Sequence, residues 1–192
     1  MVELKDVVLD SRREGLLQPF SLMVREGDVS VIRGPQGCGK TWLMRLMMGF
    51  DEAESGYVTI DGEVVNALSA PFFRQQTAYL PQELQVPAIK VSELMARFWM
   101  LRCNREQELH HADVRRQWQQ LALDSSLWDA QADGLSSSAL RRIVLSAIAL
   151  LRHPIVLLDM PLRGHSAEDA SLVEAYIRQM AEQGHVVVMT DD

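Results

Sequence analysis

Hydrophobic and polar positions along the chain follow two patterns, one typical of strands and one typical of helices. Alternating or short apolar runs in the first half predict strands at residues 2–9, 20–24, 29–32, 57–60 and 78–80. Asp61 and Gly62 form a turn of the hairpin type directly after one of these runs. Two unbroken apolar runs, at 155–158 and 186–189, instead indicate strands that are buried on both faces of a parallel sheet.

The helical pattern occupies most of the remaining chain. Helices are predicted at residues 42–48, within a glycine-free stretch at 91–130, and at 135–151 and 170–183. The fold class is therefore α/β, with a mostly parallel sheet, an N-terminal antiparallel β patch and an inserted helical subdomain. We expect a single domain over residues 1–192, with its core at 1–85 and 153–192 and the helical subdomain at about 86–152.

The segment between the predicted strand at 29–32 and the helix at 42–48 carries the strongest chemical signal. It fits the phosphate-loop pattern Gly-x-x-x-x-Gly-Lys-[Ser/Thr], and its strand–loop–helix context is the one that this motif requires. Glycines let successive backbone N–H groups turn inward around a phosphate, and the helix N-terminus favours an anion. The predicted phosphate-binding residues are Gly34, Pro35, Gln36, Gly37, Cys38, Gly39, Lys40, Thr41 and Trp42.

The formal net charge of the 192 residues is −7, which argues against nucleic acid as a ligand because binding to a phosphate backbone needs a basic face. The longest uncharged apolar stretch, at 143–151, is well below the roughly 20 residues of a membrane span. No secretory signal is visible at the start of the chain. We expect a cytoplasmic protein with no transmembrane segment of its own, which reaches the inner face of the membrane only through a partner.

Several residue types have plain structural interpretations. The three arginine pairs, at 12–13, 115–116 and 141–142, are predicted to lie on the solvated surface, as are His110, His111 and His153. Met44, Met47 and Met48 are predicted to pack in the core. Cys38 and Cys103 are expected to be free thiols, because a disulfide at Cys38 would block the phosphate loop. Trp99, Trp118 and Trp128 are candidates for either the core or a partner interface.

Taken in order, the motifs resemble those of the ATP-binding cassette (ABC) ATPases, and the resemblance covers nearly the whole chain. Residues 79–82, Tyr-Leu-Pro-Gln, look like the glutamine loop of that family, and Gly134-Leu-Ser stands where its signature begins. The run at 155–159, which ends in Asp159, is similar to the Walker B strand. Residues 186–192 stand where the switch strand normally ends in Thr-His-Asp.

The chain departs from the family pattern at residues on which hydrolysis depends. Met160 stands where the family has the glutamate that polarises the attacking water, and Asp191 replaces the switch histidine. Ser137, Ser138 and Ala139 replace Gly-Gly-Gln of the signature, and we expect their side chains to hold off the opposite subunit or to force a different turn. No aromatic residue stands near position 11, where the family stacks adenine.

The resemblance implies ATP and Mg²⁺ as cofactors, with Thr41, Gln82 and Asp159 at the metal and Ser136 as a further nucleotide contact. Its partners would be a membrane permease subunit and a second cassette, packed head to tail as a homo- or heterodimer. No catalytic set is intact, so we expect binding with weak or absent hydrolysis. His165 could substitute as a base, although a loop histidine is more often exposed.

Two alternatives remain open. One is a catalytically silent ABC-like regulatory module that uses the nucleotide as a structural ligand. The other is an unrelated P-loop NTPase, which the order of Gln82, the helical insert and Asp159 disfavours.

Overall fold

The computed structural model describes residues 1–8 and 19–192. Position 11, where the family has its adenine-stacking aromatic residue, lies outside these ranges. Eight strands are present in the described part: β1 (Val2–Val8), β2 (Phe20–Val24), β3 (Val29–Arg33), β4 (Ser55–Ile60), β5 (Glu63–Val64), β6 (Thr77–Leu80), β7 (Ile155–Leu158) and β8 (Val186–Asp191). The same part contains six α-helices: α1 (Lys40–Met47), α2 (Ala70–Gln75), α3 (Val91–Met100), α4 (His111–Gln120), α5 (Ser137–Leu151) and α6 (Ala167–Glu182).

The strands form two sheets, as the sequence predicts. An antiparallel sheet has the order β2-β1-β4-β5, and a parallel sheet has the order β3-β8-β7-β6. Successive residues of β7 and β8 enter different cores because side chains alternate along a strand. Leu157 and Val188 face α1 and the antiparallel sheet, whereas Leu158 and Val187 face α5 and α6. The parallel sheet is therefore buried on both faces, which explains the unbroken apolar runs.

The helical stretch predicted at 91–130 contains two helices, α3 and α4, and its ends are tied together. An isolated antiparallel bridge joins Lys90 to Gln131, and the Ala132 N–H donates to the Ile89 carbonyl at 2.8 Å. Apolar side chains of α3 and α4 share one hydrophobic cluster with α5 and the strands. The division of the chain into core and helical subdomain stays a prediction.

Three helices differ from their predicted bounds, and one further helix lies outside the predicted ones. Helix α1 spans Lys40–Met47 and not residues 42–48. Helix α6 begins at Ala167, three residues early, because the Ser166 hydroxyl accepts a hydrogen bond from the Asp169 N–H and caps the helix. Helix α5 begins at Ser137 and not at residue 135, since Ser136 caps it. The six residues of α2 are too few to show a helical period in the sequence.

The buried polar residues correct two surface predictions. His153 is buried, and desolvation lowers its pKa, while His110 and His111 are exposed as predicted. Arg141 is 3% exposed and Arg142 is half-buried, whereas the pair at 115–116 does lie on the surface. The pair at 12–13 falls outside the described residues.

The methionine and tryptophan interpretations can also be compared with the structure. Met44, Met47 and Met48 are buried beside the parallel sheet, as predicted. Trp118 is buried and donates a hydrogen bond to the Ser146 hydroxyl at 3.1 Å, whereas Trp99 and Trp128 are half-buried. Both cysteines are free thiols.

Candidate nucleotide site

The phosphate-loop motif connects the end of β3 to the start of α1. Gly37 and Gly39 have φ values of 85° and 98°, in the left-handed region that favours glycine, and Gly39 is the N-cap of the helix. A side chain at Gly34 would instead crowd the loop, because its Cβ would lie 2.7 Å from the Cys38 Sγ and one of the two would have to shift. The glycines therefore fix both the turn and the close packing of the loop.

Lys40 lies inside this loop, with only 8% of its surface exposed. Its Nζ donates hydrogen bonds to the carbonyl oxygens of Gly34 and Pro35, the latter at 3.2 Å. It also forms an ion pair with Asp192, whose Oδ1 lies 3.0 Å away. A buried ammonium group needs compensating partners, and these three oxygens supply them.

Asp159 follows β7 and is fully buried, with hydrogen bonds to both carboxylate oxygens. Oδ2 accepts from the Thr41 hydroxyl at 2.7 Å and from the Tyr79 hydroxyl at 3.3 Å, while Oδ1 accepts from Thr190 at 2.6 Å. Burial, reinforced by the charge and hydrogen bond of Asp159, raises the pKa of Tyr79, so Tyr79 stays a neutral donor. The carboxylate is held beside the first turn of α1.

The oxygen donors of this region suit Mg²⁺. Thr41 and Asp159 already place a hydroxyl and a carboxylate oxygen 2.7 Å apart, and Gln82 lines the same cleft. Mg²⁺ usually takes one or two protein oxygens and completes its shell with phosphate oxygens and water. The described residues contain no cluster of three or more His, Cys, Asp or Glu side chains that could hold a metal ion.

These residues surround an open cleft of about 540 Å³. Of the predicted nucleotide-binding residues, its walls include Gln36, Gly37, Gly39, Lys40, Thr41, Trp42 and Gln82. Residues that sequence reasoning did not assign to binding complete the wall: Arg45, Asp51, Met160, Arg163 and Asp192. Gly34, Pro35 and Cys38 shape the loop without lining the cleft, and Asp159 lies behind Thr41.

Ser136 is not brought to the cleft. It is exposed and caps α5, where its hydroxyl accepts a hydrogen bond from the Ala139 N–H at 3.2 Å. Ser137 and Ser138 are the first two residues of α5. The expectation that their side chains hold off the opposite subunit or force a different turn stays a prediction. A contact between Ser136 and nucleotide would have to come from a second subunit and stays a prediction.

Met160, which follows Asp159, is buried and has a φ of 54°. Its N–H donates to the Thr190 hydroxyl at 2.9 Å, which fixes the backbone beside the carboxylate. The thioether side chain lines the cleft but offers no base for a water molecule. The structure thus places an apolar side chain in the cleft wall, directly after Asp159.

Asp191, at the position of the switch histidine, and His165, the alternative base, both lie outside the cleft wall. Asp191 lies 3.5 Å from Arg33, measured from Oδ2 to Nε, and does not line the cleft. His165 is half-buried and not exposed as expected; its Nδ1 contacts the Leu162 carbonyl at 3.2 Å, and desolvation lowers its pKa. His165 does not line the cleft either.

The buried side chain of Arg141 connects helix α5 to the nucleotide site through hydrogen bonds. Its guanidinium donates to the carbonyl oxygens of Pro81 and Met160 at 3.4 and 3.3 Å, and also to that of Gln82. Desolvation lowers the pKa of Arg141, yet an arginine remains charged over the physiological range. Arg141 thereby connects the backbone at residues 81–82 to the backbone at residue 160, next to the cleft.

We predict that Arg141→Met lowers the free energy of unfolding by about 3 kcal/mol, because it leaves three carbonyl oxygens without their charged donor. Urea denaturation measures this change. Arg115→Met, on the exposed face of α4, is the control and should change stability by no more than about 0.5 kcal/mol. Equal losses in the two variants would contradict the bridging role of Arg141.

A glycine-rich loop here connects a parallel strand to a helix, and it places Lys40 and Thr41 near the buried Asp159 at the end of another strand. This arrangement defines a P-loop nucleotide-binding protein. The sequence model of the family described as "ABC transporter" matches residues 17–163, well over half of the chain. The chain belongs to this family, and its motifs confirm the resemblance.

Individual relatives agree with that assignment. The spermidine/putrescine import ATP-binding protein PotA of Mesoplasma florum is 25% identical over 92% of this chain, which spans only 52% of that relative. The cytochrome c biogenesis ATP-binding export protein CcmA of Pseudomonas syringae pv. syringae is 29% identical over 97% of the chain and 86% of the relative.

A solved structure supports the fold. The putative ABC transporter ATP-binding protein from Pyrococcus furiosus superposes with a TM-score of 0.84 at 18% identity, over 99% of this chain and 90% of that one. Within residues 1–8 and 19–192, no helix combines the length and apolar character needed to cross a bilayer.

Proposed function

We propose that this protein is the ATP-binding subunit of an ABC-type transport system, and that it binds Mg·ATP in the cleft at the phosphate loop. The observation that carries the proposal is the arrangement of Lys40, Thr41 and Asp159, because it combines a phosphate cradle with a metal-facing oxygen pair. The family assignment and the names of PotA and CcmA support an import or export role.

Each part of the site has a separate task in binding. The loop amides and the N-terminal end of α1 would receive the inner phosphates, and Lys40 would bridge the outer ones. Thr41 and Asp159 would hold the metal, with Gln82 at its open side. Mg²⁺, when bound, would neutralise phosphate charge and fix the geometry of the triphosphate.

Weak or absent hydrolysis is the finer part of the proposal. Met160 cannot accept a proton from water, and Asp191 pairs with Arg33 and stays outside the cleft wall. Loss of a positioned general base lowers the rate by roughly 10²–10⁴-fold. Nucleotide binding does not depend on these residues and is expected to persist.

The partners follow from the proposed role. A membrane permease subunit would anchor the protein at the cytoplasmic face of the membrane, and the exposed N-terminus of α5, with Ser136 as its cap, would face the nucleotide of a second cassette in a head-to-tail dimer. We also propose that residues at about 86–152 form a helical subdomain, since α3, α4 and α5 share one hydrophobic cluster and a bridge between Lys90 and Gln131 ties the first two helices together at their base.

A second candidate function is a catalytically silent regulatory module of the same family. The apolar Met160 beside the carboxylate favours it, because that side chain removes the base but leaves the phosphate loop intact. A membrane permease that copurifies with the protein would support transport over this alternative.

The proposed binding can be tested through Trp42, which lines the cleft beside Thr41. Titration with Mg·ATP should produce a saturable change in tryptophan emission, excited where nucleotide does not absorb. The signal should vanish in Trp42→Phe, while calorimetry on that variant still detects binding. A wild-type protein that gives neither heat nor a fluorescence change would contradict the proposed function.

A further inference from the structure

Two adjacent aspartates at the end of β8 have different partners. Asp191 lies 3.5 Å from Arg33, on the edge strand of the parallel sheet. Asp192 instead lies in the cleft wall, with its Oδ1 3.0 Å from the Lys40 Nζ. The two neighbouring carboxylates therefore pair with different cations, Asp191 with Arg33 and Asp192 with Lys40.

The Asp192 carboxylate stands where an outer phosphate of a nucleotide would meet Lys40. The lysine of a phosphate loop binds the β- and γ-phosphates as a point charge. Lys40 is almost fully buried, and its other two partners are carbonyl oxygens of the loop itself. Asp192 is its anionic partner in this structure, and the Asp192 side chain is 66% exposed.

We propose that Asp192 is a specificity-determining residue of the phosphate site, which lowers affinity for a nucleoside triphosphate relative to a diphosphate. The inference rests on the proposed function and concerns the same cleft. A triphosphate must place its γ-phosphate as well as its β-phosphate near Lys40, so it displaces the carboxylate and meets its negative charge. A diphosphate brings one anionic group fewer to that position.

The test compares Mg·ATP and Mg·ADP binding by calorimetry in the wild type, Asp192→Asn and Asp191→Asn. The two variants make the same chemical change at adjacent positions, so overall charge is matched. We expect Asp192→Asn to tighten Mg·ATP by about fivefold and Mg·ADP by less than about twofold. Asp191→Asn should leave both affinities within about twofold of the wild type.

Three outcomes would overturn the inference. Equal tightening by both variants would indicate a general charge effect, and equal tightening of ATP and ADP in Asp192→Asn would remove the discrimination. Unchanged affinity in Asp192→Asn, with wild-type binding intact, would refute this inference but leave the proposed function standing. Absence of binding in all three proteins would refute both.

The Asp192 side chain is 66% exposed, so we expect the substitution to have little effect on folding. Melting temperatures of the three proteins without nucleotide provide the check. If both variants shift in melting temperature, a change in nucleotide affinity would have to be explained by altered protein stability. That result would also count against the proposal.

Discussion

Lys40→Ala is expected to abolish detectable Mg·ATP binding, with a loss of at least about 100-fold in affinity. The substitution removes the buried lysine that we propose to bind the outer phosphates, and among the described residues that line the cleft it is the only lysine. Isothermal calorimetry on the wild type and the variant measures the effect. The same affinity in both proteins would mean that nucleotide does not occupy this loop.

Lys90→Ala is the matched control for that experiment. Lys90 pairs with Asp129 at 3.2 Å on the exposed base of the helical segment, and it does not line the cleft. Removal of a surface ion pair changes stability by less than about 1 kcal/mol. Nucleotide affinity should stay within about twofold of the wild type, so a loss in this variant would point to a folding defect.

The second large effect concerns turnover. The isolated protein should hydrolyse ATP near the background rate, and Met160→Glu alone should restore little of the roughly 10²–10⁴-fold attributable to a general base. A glutamate at position 160 would supply a base, but Asp191 would still replace the switch histidine. Ser137 and Ser138 would still replace the glycines of the signature.

A steady-state phosphate-release assay at saturating Mg·ATP checks this prediction. Met160→Gln is the control, because it has nearly the size of glutamate but no basic carboxylate. Both variants should remain close to the wild type. An ordinary turnover rate in the wild-type protein would refute the inactive interpretation, and a large gain in Met160→Glu alone would show that the other departures matter little.

Much of the fold could be predicted because its main signals are local. Strands that are buried on both faces of a parallel sheet have unbroken apolar runs, whereas strands of the antiparallel sheet alternate loosely between apolar and polar residues. Helix α2 was missed because its six residues span fewer than two turns. Ser166 is a typical N-cap residue and indicates the earlier start of α6. The spacing of apolar residues alone does not show it.

The candidate site was predictable where a single segment carries it and not where distant segments meet. The loop at 34–41 has a fixed pattern, so its residues could be named. Asp192 lies 152 residues from Lys40, and Tyr79 lies 80 residues from Asp159, so their contacts depend on strand order. The sequence favours the solvated surface for Arg141, since arginine is mostly exposed in folded proteins, yet here backbone carbonyl oxygens accept hydrogen bonds from its buried guanidinium.

The bridge between Lys90 and Gln131 has a consequence for how this chain can vary in length. The chain comes together at these two residues, and the helices between them pack against α5, so the segment is a folded unit tied at both ends. Residues 105–110, between α3 and α4, are mostly exposed, and lengthening such a connection adds only a slowly growing entropy of closure, about 0.6 kcal/mol for each doubling. Insertions in that connection would therefore leave the spacing of the phosphate loop and the strand-end carboxylate unchanged.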